Sequence, residues 1–320
     1  MNKSKFLTLI LILSLLLAAM PASAADIPWH LVIAGYGENI ARTAMQIDIQ
    51  GYPHIAYADA GALRYVVYNG ATWDSTVFSD DQIIDHVSLA LDAQKHPHIS
   101  YNRGLNLTYL NYNGANWSSQ SIETGSTLRS AIAVKKNGNP VIAYVRSEAS
   151  SAGNIGLAAA IYNGSQWTTS TIETGIAAAD VALALDSSDN PHITYIKDGK
   201  YLRYARWTGF SWEVYTLAND ARVQTAIAID SFNFPHVAFS DGDRLIYLTF
   251  NGTLWGRQVL FSNLGRIEDL SLSLGLMNMP HIMFSVTNDW LSLRYVYSDV
   301  RGWYLTELDA AGTARHGRLP

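Results

Sequence analysis

Residues 87–124 read VSLALDAQKHPHISYNRGLNLTYLNYNGANWSSQSIET. Four short strand-like runs lie within this stretch. Residues 87–92 alternate small and large side chains, 97–101 are PHISY, 107–112 are LTYLNY, and 117–124 follow an Asn-Gly turn. Alternation with period two is the mark of a strand. The same unit recurs along the chain. A Pro opens the second run at Pro53, Pro97, Pro140, Pro191, Pro235 and Pro280, in steps of 44, 43, 51, 44 and 45 residues. A Trp opens the fourth run at Trp29, Trp73, Trp117, Trp167, Trp212, Trp255 and Trp303, in steps of 44, 44, 50, 45, 43 and 48. Two independent markers keep one period. A four-strand unit near 45 residues is the size of a propeller blade. The expected fold is all-β, a β-propeller of four-stranded antiparallel blades. Six blades are expected, with an incomplete seventh as the alternative.

Details within the unit agree. In the first run Ser88 and Ala90 face one way and Leu89 and Leu91 the other, and Ala182/Ala184 against Leu183/Leu185 repeats this. Both faces are apolar, so the first strand is expected to be buried on both sides. The first loop reads Asp-x-x-x-x-Pro at Asp92, Asp186 and Asp230, where Asp bonds nearby backbone and Pro fixes entry to the next strand. The third loop is Asn-Gly or Thr-Gly, and Gly takes positive φ at no steric cost. The third blade departs most: Lys135 replaces the Asp, Val141 the His and Ala159 the third-strand Tyr, and residues 147–154 are inserted.

Lys3 and Lys5, an apolar run over 6–20 and the small residues PASAA read as a signal peptide, residues 1–24, cut after Ala24. The run is too short for a span, which needs about 20 apolar residues. The mature chain is therefore expected to be secreted or periplasmic, without a membrane span. Residues 25–41 are expected to supply an extra outer strand near closure, centred on 29–34. A single propeller domain follows over 42–310, and 311–320 form a tail.

Composition narrows the chemistry. There is no cysteine, so thiol nucleophiles, thiolate metal sites and disulfides are excluded. Only 15% of residues are charged, the net charge is −5, and no basic run exists, which disfavours nucleic acid. The motifs G-x-S-x-G and H-E-x-x-H are absent, as is a phosphate-cradling glycine loop.

The units SLALDxxxxPHISY…LxYxxYNGxxW resemble bacterial and archaeal secreted repeat proteins described as propellers. That resemblance implies fold and export and says little of activity. Gly70/Trp73 and Gly114/Trp117 also resemble part of the Asp-box turn of sialidases. Tyr68 and Tyr112 stand where that pattern wants Asp. The arginines Arg64, Arg203 and Arg294 share one third-strand position and read as structural, not as a sialidase trio.

Residues repeated from blade to blade are expected to serve the scaffold. These are His54, His98, His192, His236 and His281, and Trp73, Trp117, Trp167, Trp212, Trp255 and Trp303. Each Trp is expected to pack its strand on the next blade, with sugar stacking as the rival role. Ligand binding is expected where blades differ, in the loops joining strands two to three and four to one. Candidates there are Asp59, Arg103, Glu148, Asn154, Lys197, Asp241, Asp243, Asn288 and Trp290. No cofactor and no metal site is expected, with Asp80-Asp81 and Asp241/Asp243 as the calcium candidates. The functional expectation is a secreted binding module, favoured as a monomer, for a glycan or a cell-surface or extracellular protein. The alternatives are a polysaccharide-acting enzyme with paired axial carboxylates, and an assembly protein using its spare strand to oligomerise.

Overall fold

The computed structural model describes residues 34–35, 40–59, 61–79, 83–125, 127–147, 155–222, 224–287, 291–308 and 314–318. The expected signal peptide and Trp29 lie outside them. Two compact units divide the chain, Met1–Thr124 and Gly125–Pro320.

The first unit holds two antiparallel meanders. Blade one runs Ile40–Ile47, Pro53–Asp59, Ala62–Tyr68 and Trp73–Ser79, and blade two runs Ile84–Leu91, Pro97–Arg103, Asn106–Tyr112 and Trp117–Glu123. The second unit holds four. Blade three is Thr127–Val134, Pro140–Ser147, Ile155–Tyr162 and Trp167–Glu173. Blade four is Ala178–Leu185, Pro191–Lys197, Tyr201–Trp207 and Trp212–Ala218. Blade five is Thr225–Ile229, Pro235–Ser240, Leu245–Phe250 and Trp255–Phe261. Blade six is Arg266–Leu274, Pro280–Thr287, Leu291–Asp299 and Gly302–Leu308. The fold is an all-β, six-bladed propeller, and the six sheets decide against a seventh blade. One 3-10 turn, Leu276–Asn278, is the sole helical element among the described residues, and no described helix could cross a membrane. Blade six carries a fifth strand, Ala314–Arg318, paired antiparallel to Gly302–Leu308. The extra edge strand found here thus comes from the segment read as a tail.

Each repeat Pro is the first residue of its strand, where its missing N–H costs the ladder least. The strand buried on both faces is the second, not the first: Pro53–Asp59 is buried throughout, whereas Ala178–Leu185 is mostly half-buried. Order within the sheet is the reason. The second strand is hydrogen-bonded on both sides, and the first is an edge. Tyr57, Tyr144, Tyr195, Phe239 and Phe284, at one second-strand position, are essentially inaccessible and anchor the core.

The first turn is built by its Asp. Asp92 Oδ1 accepts from the N–H groups of Gln94 (2.9 Å) and His96 (2.7 Å), and Asp48, Asp186 and Asp230 do the same in their blades. In the third turn Asn113 Oδ1 accepts from Ala115 and Asn116 at 3.0 and 2.8 Å. Gly114 follows at φ +90, where an added Cβ would lie 2.9 Å from the His96 ring. Both its conformation and its cover require glycine.

The first turns are also tied from blade to blade. In blades two, four, five and six, the residue at positive φ reaches the preceding turn. Lys95 (φ 68) brings Nζ to 3.7 Å from Asp48 in the first unit. In the second, Asp189 (φ 63) accepts from Lys136 N–H at 3.1 Å, Asn233 (φ 67) from Ser187 N–H at 2.7 Å, and Asn278 (φ 59) from Ser231 N–H at 3.1 Å. Asn and Asp tolerate this backbone region because their short polar side chains bond locally. Asn233→Ala should lose both the bond and the favourable conformation, a cost of about 1–2 kcal/mol. Asn233→Gly, which keeps the conformation, should cost less. Urea denaturation of the pair checks this, and equal losses would remove the conformational part of the account.

Candidate binding site

The repeated histidines build one motif in each of five blades, all but the third. Each imidazole accepts at Nδ1 from the hydroxyl of a third-strand Tyr: His54 with Tyr65 and His192 with Tyr204 at 2.5 Å, and His98 with Tyr109 at 2.6 Å. His236 pairs likewise with Tyr247, and His281 with Tyr295 at 2.5 Å. The other nitrogen, Nε2, faces the turn Asp at 3.6, 3.7, 3.6 and 3.4 Å for His54, His98, His192 and His236. Blade six has Gly275 in place of that Asp. An Asp–His–hydroxyl line is the order of a nucleophilic triad, but here the hydroxyl faces no cleft. Burial holds all five imidazoles below their ordinary range, and burial also pushes the hydroxyls of Tyr65, Tyr204, Tyr247 and Tyr295 up. Each His–Tyr pair ties second strand to third.

The far side of the same Tyr meets the Trp of the following blade. Trp117 lies edge-on 5.3 Å from Tyr65 and 4.9 Å from Phe78. Trp255 lies 5.4 Å from Tyr204 and Trp303 5.0 Å from Tyr247. Trp212 meets blade three, where Ala159 replaces the Tyr, and its Nε1 donates to Ser170 Oγ at 3.1 Å. Trp73 and Trp167 pack on Tyr68 and Tyr162 of their own blades, each at 5.3 Å.

The loop candidates separate on inspection. Asp59 is buried and paired with Arg64 Nε at 2.9 Å. Lys197 Nζ binds Glu173 at 2.8 Å. Asp241 takes Arg244 Nε at 2.6 Å, and the Asp243 carbonyl accepts from Leu264 N–H at 2.9 Å. Glu148, Asn154, Asn288 and Trp290 lie outside the described residues, as do Asp80 and Asp81. Among the described residues, no three His, Asp or Glu side chains gather as a metal site needs.

Arg103 lines a cleft of about 330 Å³ between blades one and two. Leu63 and Phe78 of blade one and Ile84, Tyr101 and Leu110 of blade two form its apolar wall. Asn106, Thr108, Ser119, Gln120 and Ser121 add hydroxyls and amides. Thr108 lies opposite Tyr101 in the sheet, and its counterparts in blades one, three, four, five and six are Arg64, Ala158, Arg203, Ile246 and Arg294. Between blades three and four the same register is occupied. Glu173 there receives Tyr195, Lys197 and Arg203 together, with Arg203 Nε at 3.3 Å, and Arg203 also bonds Thr216. Burial pushes the Glu173 carboxyl up, but bonds from Lys197 and Tyr195 prevail and hold it below its usual range.

Sequence reading missed Tyr101, Thr108 and Gln120, because they sit at ordinary strand positions. Thr108 against the repeated Arg was the available signal. A further pair also escaped it. A bulge at the start of Ala178–Leu185 turns Asp180 toward its neighbours, where it accepts from Arg129 Nη1 at 3.2 Å and from Thr225 N–H at 2.9 Å. Burial pushes its carboxyl up to about 6 against those two bonds.

No protein-family model matches the chain, and no curated protein matches it either. Solved structures do. A lectin of Aleuria aurantia in complex with Fucα1-6GlcNAc is 16% identical, with 85% of this chain and 96% of that one aligned at a TM-score of 0.59. AofleA from Arthrobotrys oligospora is 11% identical over 87% and 88%, with a TM-score of 0.61. A sialidase of Trypanosoma rangeli is 12% identical over 81% of this chain and 54% of its own, with a TM-score of 0.58. At these identities the likeness is one of fold, and the class it defines is the six-bladed propeller.

Proposed function

We propose that this chain is an exported glycan-binding module and that the cleft between blades one and two holds the sugar. The cleft carries this reading. A sugar ring presents a C–H face and a rim of hydroxyls. The half-buried ring of Phe78 beside Arg103, Asn106 and Gln120 offers both kinds of partner. The likeness to a lectin crystallised with a fucosylated disaccharide supports the same chemical class. Export rests on the leader-like segment 1–24, and a place among the secreted repeat propellers rests on the repeated units that resemble them.

A glycan array should identify a ligand for the secreted chain, with and without a chelator so that calcium dependence is read at once. Arg103→Ala and Gln120→Ala should each weaken binding of that ligand about tenfold or more by calorimetry, the loss of one or two hydrogen bonds, one of them charged. Lys197→Ala, at the position filled by the Glu173 cluster, should leave affinity unchanged. A ligand bound equally by all three variants would move the site elsewhere, and an array without hits would remove the glycan reading.

A further inference from the structure

Three of the six methionines in the chain fall within residues 276–283, LMNMPHIM, around the repeat Pro and His of blade six. The same turn has lost its Asp, which is replaced by Gly275. The regular blades show where these two departures meet. In blade two the residue before the Pro and the His after it converge on one oxygen. His96 Nδ1 lies 3.1 Å and His98 Nε2 3.7 Å from Asp92 Oδ2. Blade four repeats this, with Asn190 Nδ2 at 3.0 Å and His192 Nε2 at 3.6 Å from Asp186 Oδ2. The residue before the Pro also leans on the end of the third strand: Tyr52 on Tyr68 at 5.7 Å, His96 on Tyr112 at 6.0 Å, and Phe234 on Phe250 at 6.1 Å between ring centres.

Met279 keeps that place in blade six. Its Sδ accepts from Ser298 Oγ, at the position of Tyr112, at 3.9 Å. His281 keeps its own place, with Nδ1 2.5 Å from the Tyr295 hydroxyl. Its Nε2 has swung toward the turn, where a Cβ added at Gly275 would lie 2.5 Å from it. The ring is 22° from that of Tyr295, against 39–51° for the matching pairs of blades one, two, four and five. The Met279 thioether and the His281 Nε2 therefore flank the spot that a carboxylate oxygen holds in blades two and four. Met277 stands on the same turn, 81% exposed at φ 59, where its side chain adds nothing to the core. Asn278, bonded to Ser231 of blade five, holds the turn in place.

We propose that this turn binds a soft monovalent metal ion, Cu(I), through His281 Nε2 and Met279 Sδ, with Met277 Sδ as the third ligand. Thioether sulfur selects Cu(I), and imidazole suits copper as well. Calcium, magnesium and manganese want oxygen ligands, and residues 274–283 contain no acid. Binding uses the Nε2 lone pair. The imidazole proton then sits on Nδ1 and is donated to the Tyr295 hydroxyl, so that bond is kept with donor and acceptor exchanged, and the ring stays neutral. In blades one, two, four and five the turn Asp favours the proton on Nε2, which closes those imidazoles to a metal. The chain has no cysteine to compete for the ion. The turn lies in blade six and shares no residue with the glycan cleft of blades one and two.

Competition with the coloured Cu(I)–bicinchoninate complex, under ascorbate and without oxygen, tests it on the secreted chain. The chain is expected to withdraw one Cu(I) from the dye. Met279→Leu, which conserves volume but removes the thioether, should weaken binding at least about tenfold, since even an outer-shell partner of a metal is worth about 10–100-fold. Met277→Leu and Met279→Leu together should abolish it while the melting temperature stays unchanged. Met45→Leu, in blade one, should change nothing. Silver(I), which needs no reductant, should shift the Nε2 nitrogen resonance of His281 and of no other repeated histidine. No transfer from the dye, a double variant that binds as well as the parent, or a silver shift at other histidines alone would overturn the proposal. Zinc bound as tightly as Cu(I) would overturn the choice of a soft ion.

Discussion

Acidification from about pH 7.5 to about pH 5 should destabilise the protein steeply, and the repeated histidines are the reason. His54, His98 and His192 are buried and His236 and His281 half-buried, and burial holds all five pKa values below 6.5. The unfolded chain then binds more protons than the folded one as pH falls through 6.5, so stability is full above that value and is lost below it. Each imidazole adds a slope of up to about 1.4 kcal/mol per pH unit until its folded pKa is reached. Five acting together can remove several kcal/mol from a fold whose total is about 5–15 kcal/mol. Asp180 works the other way. Its folded pKa of about 6 lies above the unfolded value of 3.8, so it returns stability as pH falls through that window. One carboxyl against five imidazoles leaves a net loss. Thermal melts across the range check this, and a melting temperature that stays flat down to pH 5 would mean that the imidazoles are charged in the fold.

The second large effect concerns the bridges between blades. Trp255→Ala should cost about 3–5 kcal/mol, the range for removing a large packed aromatic. The Trp255 ring covers Tyr204 and packs against a cluster that includes Leu217, Ile229 and Leu248. Removing it also opens the enclosed His192–Tyr204 pair to water. Trp255→Phe should recover part of the loss, because an edge-on ring remains. Denaturant unfolding gives the comparison. A cost for Trp255→Ala no larger than for the exposed Phe210→Ala would show that the seam does not depend on this ring.

These two effects are linked through one side chain. The third-strand Tyr donates to its own blade's His and receives the next blade's Trp edge-on, so turn, strand pairing and blade packing meet at one ring. Blade three shows the motif is not obligatory in every unit. It has Lys135, Val141 and Ala159, and Trp212 finds Ser170 instead of a tyrosine hydroxyl.

How much was legible beforehand divides along a physical line. Period, blade boundaries and turn chemistry are local, and the spacing of Pro53 to Pro280 with the Asn-Gly turns suffices to place all of the strands from residue 40 to 308. The sequence by itself therefore determined an all-β chain of four-stranded blades and marked the His and Trp columns as repeated features, and the six sheets of the structure settled the blade number. Which strand is buried on both faces was misread, because an apolar alternation does not reveal whether a strand is hydrogen-bonded on one side or two. Only the tertiary structure decided which side chains face each other across a seam. Thr108 and Arg203 occupy one register, yet the first lines a cleft beside Phe78 and the second closes onto Glu173, 30 residues away. Lys197 and Arg103 likewise share a register, and one is held in that ion cluster while the other lines the cleft. Periodicity fixes what each blade must contain. Only packing one blade on the next fixes what its unrepeated residues meet.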